Sequence, residues 1–236
     1  MRATSAPHPP QLSLPGQAHV AEGPLDMSAM YVMHHAFRRD LEAFCTAVTR
    51  TPVDDAATWA ALAARWERFG MVLHHHHRVE DETIWPPLLA RVDAGGRETL
   101  EAMQAEHATI DPVLAACTSG FAALVAAPGE DARSRLVEQL TAARHAIDRH
   151  LAHEETGALP LVQRHMSAAE WATAEKTAQR SFALRDLAFL LPWAAAGLDR
   201  ATRDRAFATA GPSFRVLYRL TRGRFERSEA AALRRS

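Results

Sequence analysis

Residues 69–87 read FGMVLHHHHRVEDETIWPP and contain the pattern that decides the fold. His76 and Glu80 lie four residues apart in this stretch, a spacing that places two side chains on one face of a helix. Apolar residues continue the same face on both sides of the pair, namely Phe69, Leu73 and Ile84. The stretch therefore predicts an amphipathic helix with metal-ligating side chains on its inward face.

Three further segments have helical periodicity, and each ends in a clear turn signal. They cover about residues 27–50, 97–126 and 131–156. Pro52, Gly95 and Gly129 mark the turns between neighbouring segments. Four helices of similar length joined by short turns predict an all-α protein, an up-down-up-down four-helix bundle over residues 27–165.

The flanking segments differ from the bundle in composition. Residues 1–26 hold five prolines and little apolar periodicity, which predicts a disordered leader. Residues 166–236 form a predicted C-terminal helical extension. A capping box, Ser167 with Glu170, opens a fifth helix that is expected to run toward Leu191 and Pro192. This helix is too apolar to stand free, so it is expected to pack on the bundle or, in a homo-oligomer, on a second subunit.

Composition narrows the function classes. The chain has 27 basic and 28 acidic residues, a formal net charge of −1, which argues against a nucleic-acid partner. Cys45 and Cys117 are the only cysteines, so neither a disulfide framework nor a cysteine-rich zinc site is available. No apolar run approaches the roughly 18 residues of a membrane span, and no apolar signal core follows the N-terminus. A cytoplasmic protein without a membrane partner is expected.

Candidate metal ligands occur on all four predicted helices: His34 on the first, His76 and Glu80 on the second, His107 and Asp111 on the third, and His150 and Glu154 on the fourth. His34 and His76 lie 18 and 24 residues from Pro52. His107 and His150 lie 22 and 21 residues from Gly129. At about 1.5 Å per residue these counts bring the ligands to one height in the bundle, which core histidines placed by chance rarely do.

The register of the second helix is open. His74–His77 cannot all point inward, because consecutive helical residues turn by about 100°. At most two of the four are ligands, and the others are expected on a solvated face. His77 with Asp81 is the competing pair if the helix is rotated by one residue.

The ligand types narrow the choice of metal. Imidazole and carboxylate without thiolate suit iron, manganese or zinc. About seven candidate side chains exceed what one tetrahedral zinc ion uses. Two octahedral ions bridged by Glu80 and Glu154 would use them all, so the sequence favours a dinuclear centre rich in histidine.

Several short motifs together resemble a hemerythrin-like (HHE cation-binding) domain over about residues 27–162. They are Met33-His34-His35-Ala36-Phe37-Arg38-Arg39-Asp40-Leu41, the run from His76 through Glu80-Asp81-Glu82 to Trp85-Pro86, Glu106-His107, and His150-Leu151-Ala152-His153-Glu154-Glu155. The resemblance implies a four-helix bundle with a non-haem di-iron centre, two iron ions per chain, that binds dioxygen or a related small molecule. By position it implies His34, His76, Glu80, His107, His150 and Glu154 as ligands.

The third helix departs from the family pattern. Hemerythrins carry two histidines one turn apart there, whereas His107 is followed by Asp111. Asp111 is then either a seventh ligand or leaves a coordination position open. Reversible oxygen carriage is disfavoured by this change, and a redox or sensing role toward dioxygen, nitric oxide or peroxide is favoured. The alternatives are a di-iron oxidase or peroxide-decomposing enzyme, and a metal-storage or sensor module.

Overall fold

The computed structural model describes residues 8–233, and the regular structure in that range is helical. Its helices are α1 (Ser28–Arg50), α2 (Ala56–Val79), α3 (Trp85–Leu89), α4 (Ala94–Ala126), α5 (Glu130–His153), α6 (Leu159–His165), α7 (Ala168–Arg180), α8 (Leu184–Ala195), α9 (Arg200–Ala210) and α10 (Pro212–Ala232). Two π-helical turns, Glu80–Ile84 and Glu154–Ala158, join α2 to α3 and α5 to α6. Four long helical segments therefore form the bundle, and the predicted all-α class is confirmed.

Two apolar clusters fill the bundle, one toward each end. The larger contains Phe37, Trp66, Phe121 and Leu140, all at most 1% exposed. The smaller contains Tyr31, Trp85, Met103 and Val162, equally buried. On α1, α2 and α4 the predicted ligands His34, His76 and His107 lie between residues of the two clusters, and on the fourth bundle segment Glu154 does so. The site is therefore a polar layer enclosed by apolar packing above and below.

The two π-helical turns begin at the two predicted bridging glutamates, Glu80 and Glu154. A proline lies six residues after each glutamate, at Pro86 and Pro160. Proline lacks an N–H, and its ring crowds the carbonyl group four residues earlier in a regular helix. A π-helical turn widens the backbone before such a residue and lets the helix continue.

The expectation of a disordered leader is wrong for residues 8–26, which form a strap over the bundle; residues 1–7 lie outside the described range. Leu12 and Leu25 are buried in the smaller cluster. Leu25 N–H donates to Gln163 Oε1 at 2.9 Å, and Ala18 N–H donates to Glu155 Oε2 at 2.6 Å. Bundle side chains thus satisfy strap amides, which compensates for the absence of helical hydrogen bonds.

The predicted fifth helix is divided in the structure. α7 ends at Arg180, α8 begins at Leu184, and Pro192 lies inside α8. The extension packs on the bundle: Trp193 is fully buried against Phe37, with ring centroids 5.3 Å apart. Arg65 of α2, 3% exposed, donates to Asp40 of α1 and to Glu229 of α10. α8 and α10 are therefore held to the bundle by both apolar packing and buried charge.

The helix α4 is long and apolar enough, by length and composition alone, to cross a membrane. The core helix of a bundle meets the same test. Leu100, Ile110 and Phe121 of α4 are buried among the other bundle helices, and His107 lies in the polar layer. In all, 28% of the apolar window of α4 is buried in the protein.

Candidate metal centre

The polar layer contains two groups of buried side chains that could ligate metal ions. One holds His34, His76, Glu80 and Glu154, and the other holds His77, His107 and His150. Within each group, one ligand atom per residue lies within 4.8 Å of every other. None of these seven side chains belongs to a residue more than 9% exposed. Four helical segments that are far apart in the sequence therefore bring their imidazoles and carboxylates together.

Six of the seven predicted ligands lie in these groups, and Asp111 does not. The side chain of Asp111 is 58% exposed, and Oδ1 lies 3.1 Å from Nδ1 of His74 at the surface. Ile110 and Leu114 occupy the inward face of α4 at this level, which turns Asp111 toward solvent. The prediction of Asp111 as a ligand is therefore corrected.

The seventh member of the cluster is His77, which the sequence analysis treated only as an alternative to His76. Its ring stacks on His107, with centroids 4.0 Å apart and planes 9° from parallel, and lies 5.1 Å from His150. His76 instead contacts His34, at 5.4 Å. The neighbouring residues His76 and His77 of α2 therefore belong to different groups. Asp81, the other member of the alternative pair, does not join either group.

Nine donor atoms of the cluster are buried without a hydrogen-bond partner among residues 8–233. They are Nε2 of His34, His76, His77, His107 and His150, and both carboxylate oxygens of Glu80 and Glu154. Some of these atoms are close without hydrogen-bond geometry. Oε1 of Glu80 lies 3.0 Å from Nε2 of His76, and Oε2 lies 3.5 Å from Nε2 of His107. Unpartnered buried polar atoms are costly, so this donor set fits bound cations.

Glu80 lies between the two groups. One oxygen faces His76 of the first group and the other faces His107 of the second. Glu154 has its Oε2 3.2 Å from Nε2 of His34. A carboxylate with one oxygen toward each of two ligand groups is arranged to be shared by two ions.

Three of the histidines are oriented by carboxylates outside the cluster. Nδ1 of His34 donates to Glu155 Oε1 at 2.9 Å, and Nδ1 of His107 donates to Asp81 Oδ2 at 3.0 Å. Nδ1 of His150 donates to Glu106 Oε2 at 2.9 Å. A proton held on Nδ1 leaves the Nε2 lone pair free for a metal and fixes the ring plane. This is the arrangement expected around metal-ligating histidines.

A family model described as the hemerythrin HHE cation binding domain matches residues 26–162, more than half of the chain. The chain belongs to this family. The matched segment of this hemerythrin-like protein includes the seven clustered residues, whereas the strap before Asp26 and the helices α7–α10 lie outside it. No curated protein and no solved structure matches the chain.

The pKa values of the clustered side chains in this hemerythrin-like protein are set by burial and by the charges of neighbouring glutamates. Burial lowers the pKa of His76 to about 3 and lowers that of His77. Burial, together with the charge of Glu154, raises the pKa of Glu80 well above its usual value. At His34 burial works in the opposite direction but is outweighed by Glu154 and Glu155, so its pKa rises to about 9. In the absence of a metal, a proton on His34 thus compensates the buried carboxylates, a role that a bound cation would take over.

Proposed function

We propose that the chain is a non-haem di-iron protein that binds dioxygen, nitric oxide or peroxide inside the bundle, with a redox or sensing role. The single observation that supports this most strongly is the set of nine buried, unpartnered donor atoms in two adjoining groups. One tetrahedral zinc ion uses four ligands, so it would leave several of these atoms unsatisfied. Two ions would satisfy all nine.

The chain's residues divide between the two ions. His34 and His76 would hold one ion, and His77, His107 and His150 would hold the other, with Glu80 and Glu154 shared. Nine donor atoms fill nine of about twelve positions on two octahedral ions, so some positions stay open to a small molecule. Bound iron would supply the redox chemistry there. The ion with two histidines has the smaller protein ligand set, so we infer that the small molecule binds on that side.

The surrounding residues keep the centre dry and its ligands fixed. Glu155, which orients His34, receives two hydrogen bonds from Arg38, at 2.7 and 3.1 Å. The apolar clusters on both sides, and the mostly apolar walls of the pocket that reaches His76 and Glu80, limit the access of water to the layer. A fixed, dry donor set favours binding of uncharged diatomic molecules over hydrated ions.

Metal analysis tests the proposal. Protein purified without a metal-affinity step from iron-rich medium is expected to hold about two iron ions per chain. One zinc ion per chain without iron would contradict it. For the air-exposed protein, a charge-transfer absorption band that disappears under vacuum would indicate reversible binding.

A second candidate function is a di-iron oxidase or a peroxide-decomposing enzyme. It is favoured by a pocket whose walls include His76 and Glu80 and come largely from the C-terminal extension. Sustained turnover of hydrogen peroxide by the iron-loaded protein would favour this function over binding alone. A cytoplasmic location remains a prediction from the sequence.

A further inference from the structure

A pocket of about 220 Å³ lies between the bundle and the C-terminal extension. Its walls are mostly apolar side chains of α1, α8 and α9, among them Met30, Leu190, Leu191, Ala206 and Phe207. Protein interiors normally leave few voids larger than a water molecule. An apolar cavity of about 150 Å³ is already large enough to bind benzene. The pocket therefore has room for a molecule considerably larger than dioxygen, nitric oxide or peroxide.

The pocket extends from solvent to the candidate metal centre. His76 and Glu80, both in the two-histidine group, line it at the bundle. Gln179, an exposed residue of α7, lines it as well. His75 forms a fixed part of the wall, because its Nε2 is 2.9 Å from Ser181 Oγ and its ring packs on Phe182. A molecule in the pocket would lie beside the ion with the smaller protein ligand set.

The charges around the pocket indicate what it excludes. Apart from Glu80, the charged residues in its lining are one acid, Glu175, and one base, Arg203. The Arg203 guanidinium lies 5.9 Å from the centroid of the Tyr218 ring, and burial raises the pKa of Glu175 to about 7. Neither sign of charge is in excess. A charged ligand would lose its hydration without gaining a matched set of partners, so an uncharged ligand is favoured.

We propose that this pocket binds an uncharged, largely apolar small molecule and holds it beside His76 and Glu80. Ligand binding in the pocket is inferred from the lining residues alone, whereas the position of the ligand beside a metal ion rests on the proposed function. In a protein with an oxidising di-metal centre such a molecule would be a substrate; in a sensing protein it would be an effector. Binding is the property common to both.

A fluorescence titration of the purified full-length protein tests the proposal. N-phenyl-1-naphthylamine is uncharged and fluoresces strongly when it leaves water. It is expected to bind saturably with about one molecule per chain. Its anionic analogue 8-anilinonaphthalene-1-sulfonate has the same rings plus a sulfonate and is expected to bind at least about tenfold more weakly. Equal or tighter binding of the sulfonate would overturn the assignment of an uncharged ligand.

Two variants of α9 locate the binding. Ala206→Trp places a large ring in the pocket and is expected to weaken binding of N-phenyl-1-naphthylamine at least about tenfold. Ala208→Trp adds the same ring at an exposed position of the same helix that does not line the pocket, and is expected to leave binding unchanged. Ala206→Leu fills less of the pocket and is expected to weaken dye binding by an intermediate amount. It replaces the tryptophan variant in the experiment if that variant does not fold. Unchanged binding in both Ala206 variants would overturn the proposal.

Metal content separates this inference from the proposed function. Ala206→Trp is expected to retain the metal content of the wild type, since Ala206 is not a ligand. A saturating amount of 1-octanol should shift the metal absorption spectrum of the wild type and not that of Ala206→Trp. Metal binding without dye binding would overturn the pocket alone. Dye binding in a protein that takes up no metal would overturn the di-iron function and leave the pocket standing.

Discussion

Asp81 and Glu155 occupy equivalent positions in the two halves of the bundle. Each directly follows a buried glutamate, Glu80 or Glu154, and each accepts a hydrogen bond from Nδ1 of a histidine on another helix, His107 at 3.0 Å and His34 at 2.9 Å. The unit of α1, α2 and α3 is thus repeated approximately by α4, α5 and α6. His77 breaks the repeat, because Leu151 stands at the corresponding place. The two ions are therefore expected to have unequal ligand sets.

Removal of the shared carboxylate Glu80 should empty most of the centre. Glu80→Ala deletes the group that faces both ligand sets, and two cations a few ångströms apart would then repel each other with less compensation. Metal content measured by mass spectrometry is expected to fall from about two ions per chain to well below one. Asp111→Ala, at the exposed position on α4, should retain full content. Full content in Glu80→Ala would show that the carboxylate is not shared.

His77 and His74 are expected to behave differently although both belong to the same run of four histidines. His77→Ala removes one of three imidazoles from its group and should reduce the content to about one ion per chain. His74→Ala changes a histidine whose side chain is 53% exposed and should have no effect. If His77→Ala keeps both ions, the stacking of His77 on His107 is only packing.

The outer carboxylate Asp81 should matter for affinity without being a ligand. Asp81→Asn keeps the shape but removes the charge that holds the proton on Nδ1 of His107, and changes of this kind lower metal affinity by about 10–100-fold. Glu82→Gln, an exposed acid one residue later, is the matched control and should leave affinity unchanged. Competition with a chelator followed by absorption spectroscopy would measure both. Equal affinities in the two variants would contradict the orienting role.

The half-buried acid Glu175 should make stability depend on pH. Burial and the charge of Asp26 raise its pKa from 4.5 to about 7, so the folded state disfavours the ionised form. The neutral form of Glu175 makes its full contribution to the free energy of unfolding below pH 4.5, and this contribution is lost as the pH rises through 7. Glu175→Gln is therefore expected to match the wild type at pH 4.5 and to melt about 2–4 °C higher at pH 8.5. A thermal melt of both proteins at the two pH values, followed by circular dichroism, would detect the difference. If the difference in melting temperature between the two proteins were the same at both pH values, ionisation of Glu175 would not be its cause.

The bundle helices and six of the seven clustered side chains could be predicted because local periodicity determines them. Apolar stripes at helical spacing locate the bundle, and the histidines and glutamates continue those stripes. His77 was predicted only as an alternative to His76, because one inward face was expected of the second helix, whereas His76 and His77 belong to different groups. Adjacent histidines in such a helix are the signal that could have found it.

The strap could not be predicted because its partners lie far away in the sequence. Gln163 binds strap groups on both sides: its Nε2 donates to the carbonyl of Ala21 and its Oε1 accepts from the amide of Leu25, each at 2.9 Å. Such contacts produce no periodic pattern of apolar residues in the sequence of a proline-rich segment. The break between α7 and α8 likewise has no glycine or proline to mark it.

The placement of Arg65 between Asp40 and Glu229 imposes an order on folding during synthesis. Chains are made from the N-terminus, and domains generally fold as units while the rest is still being added. The bundle, with its complete set of ligands, is available well before Glu229 leaves the ribosome. Until then Arg65 has Asp40 as its ion-pair partner but not the second carboxylate. Ions taken up by the bundle could therefore enter from the side that α8, α9 and α10 later cover, and the arrival of these helices narrows that side to the pocket lined by His76 and Glu80.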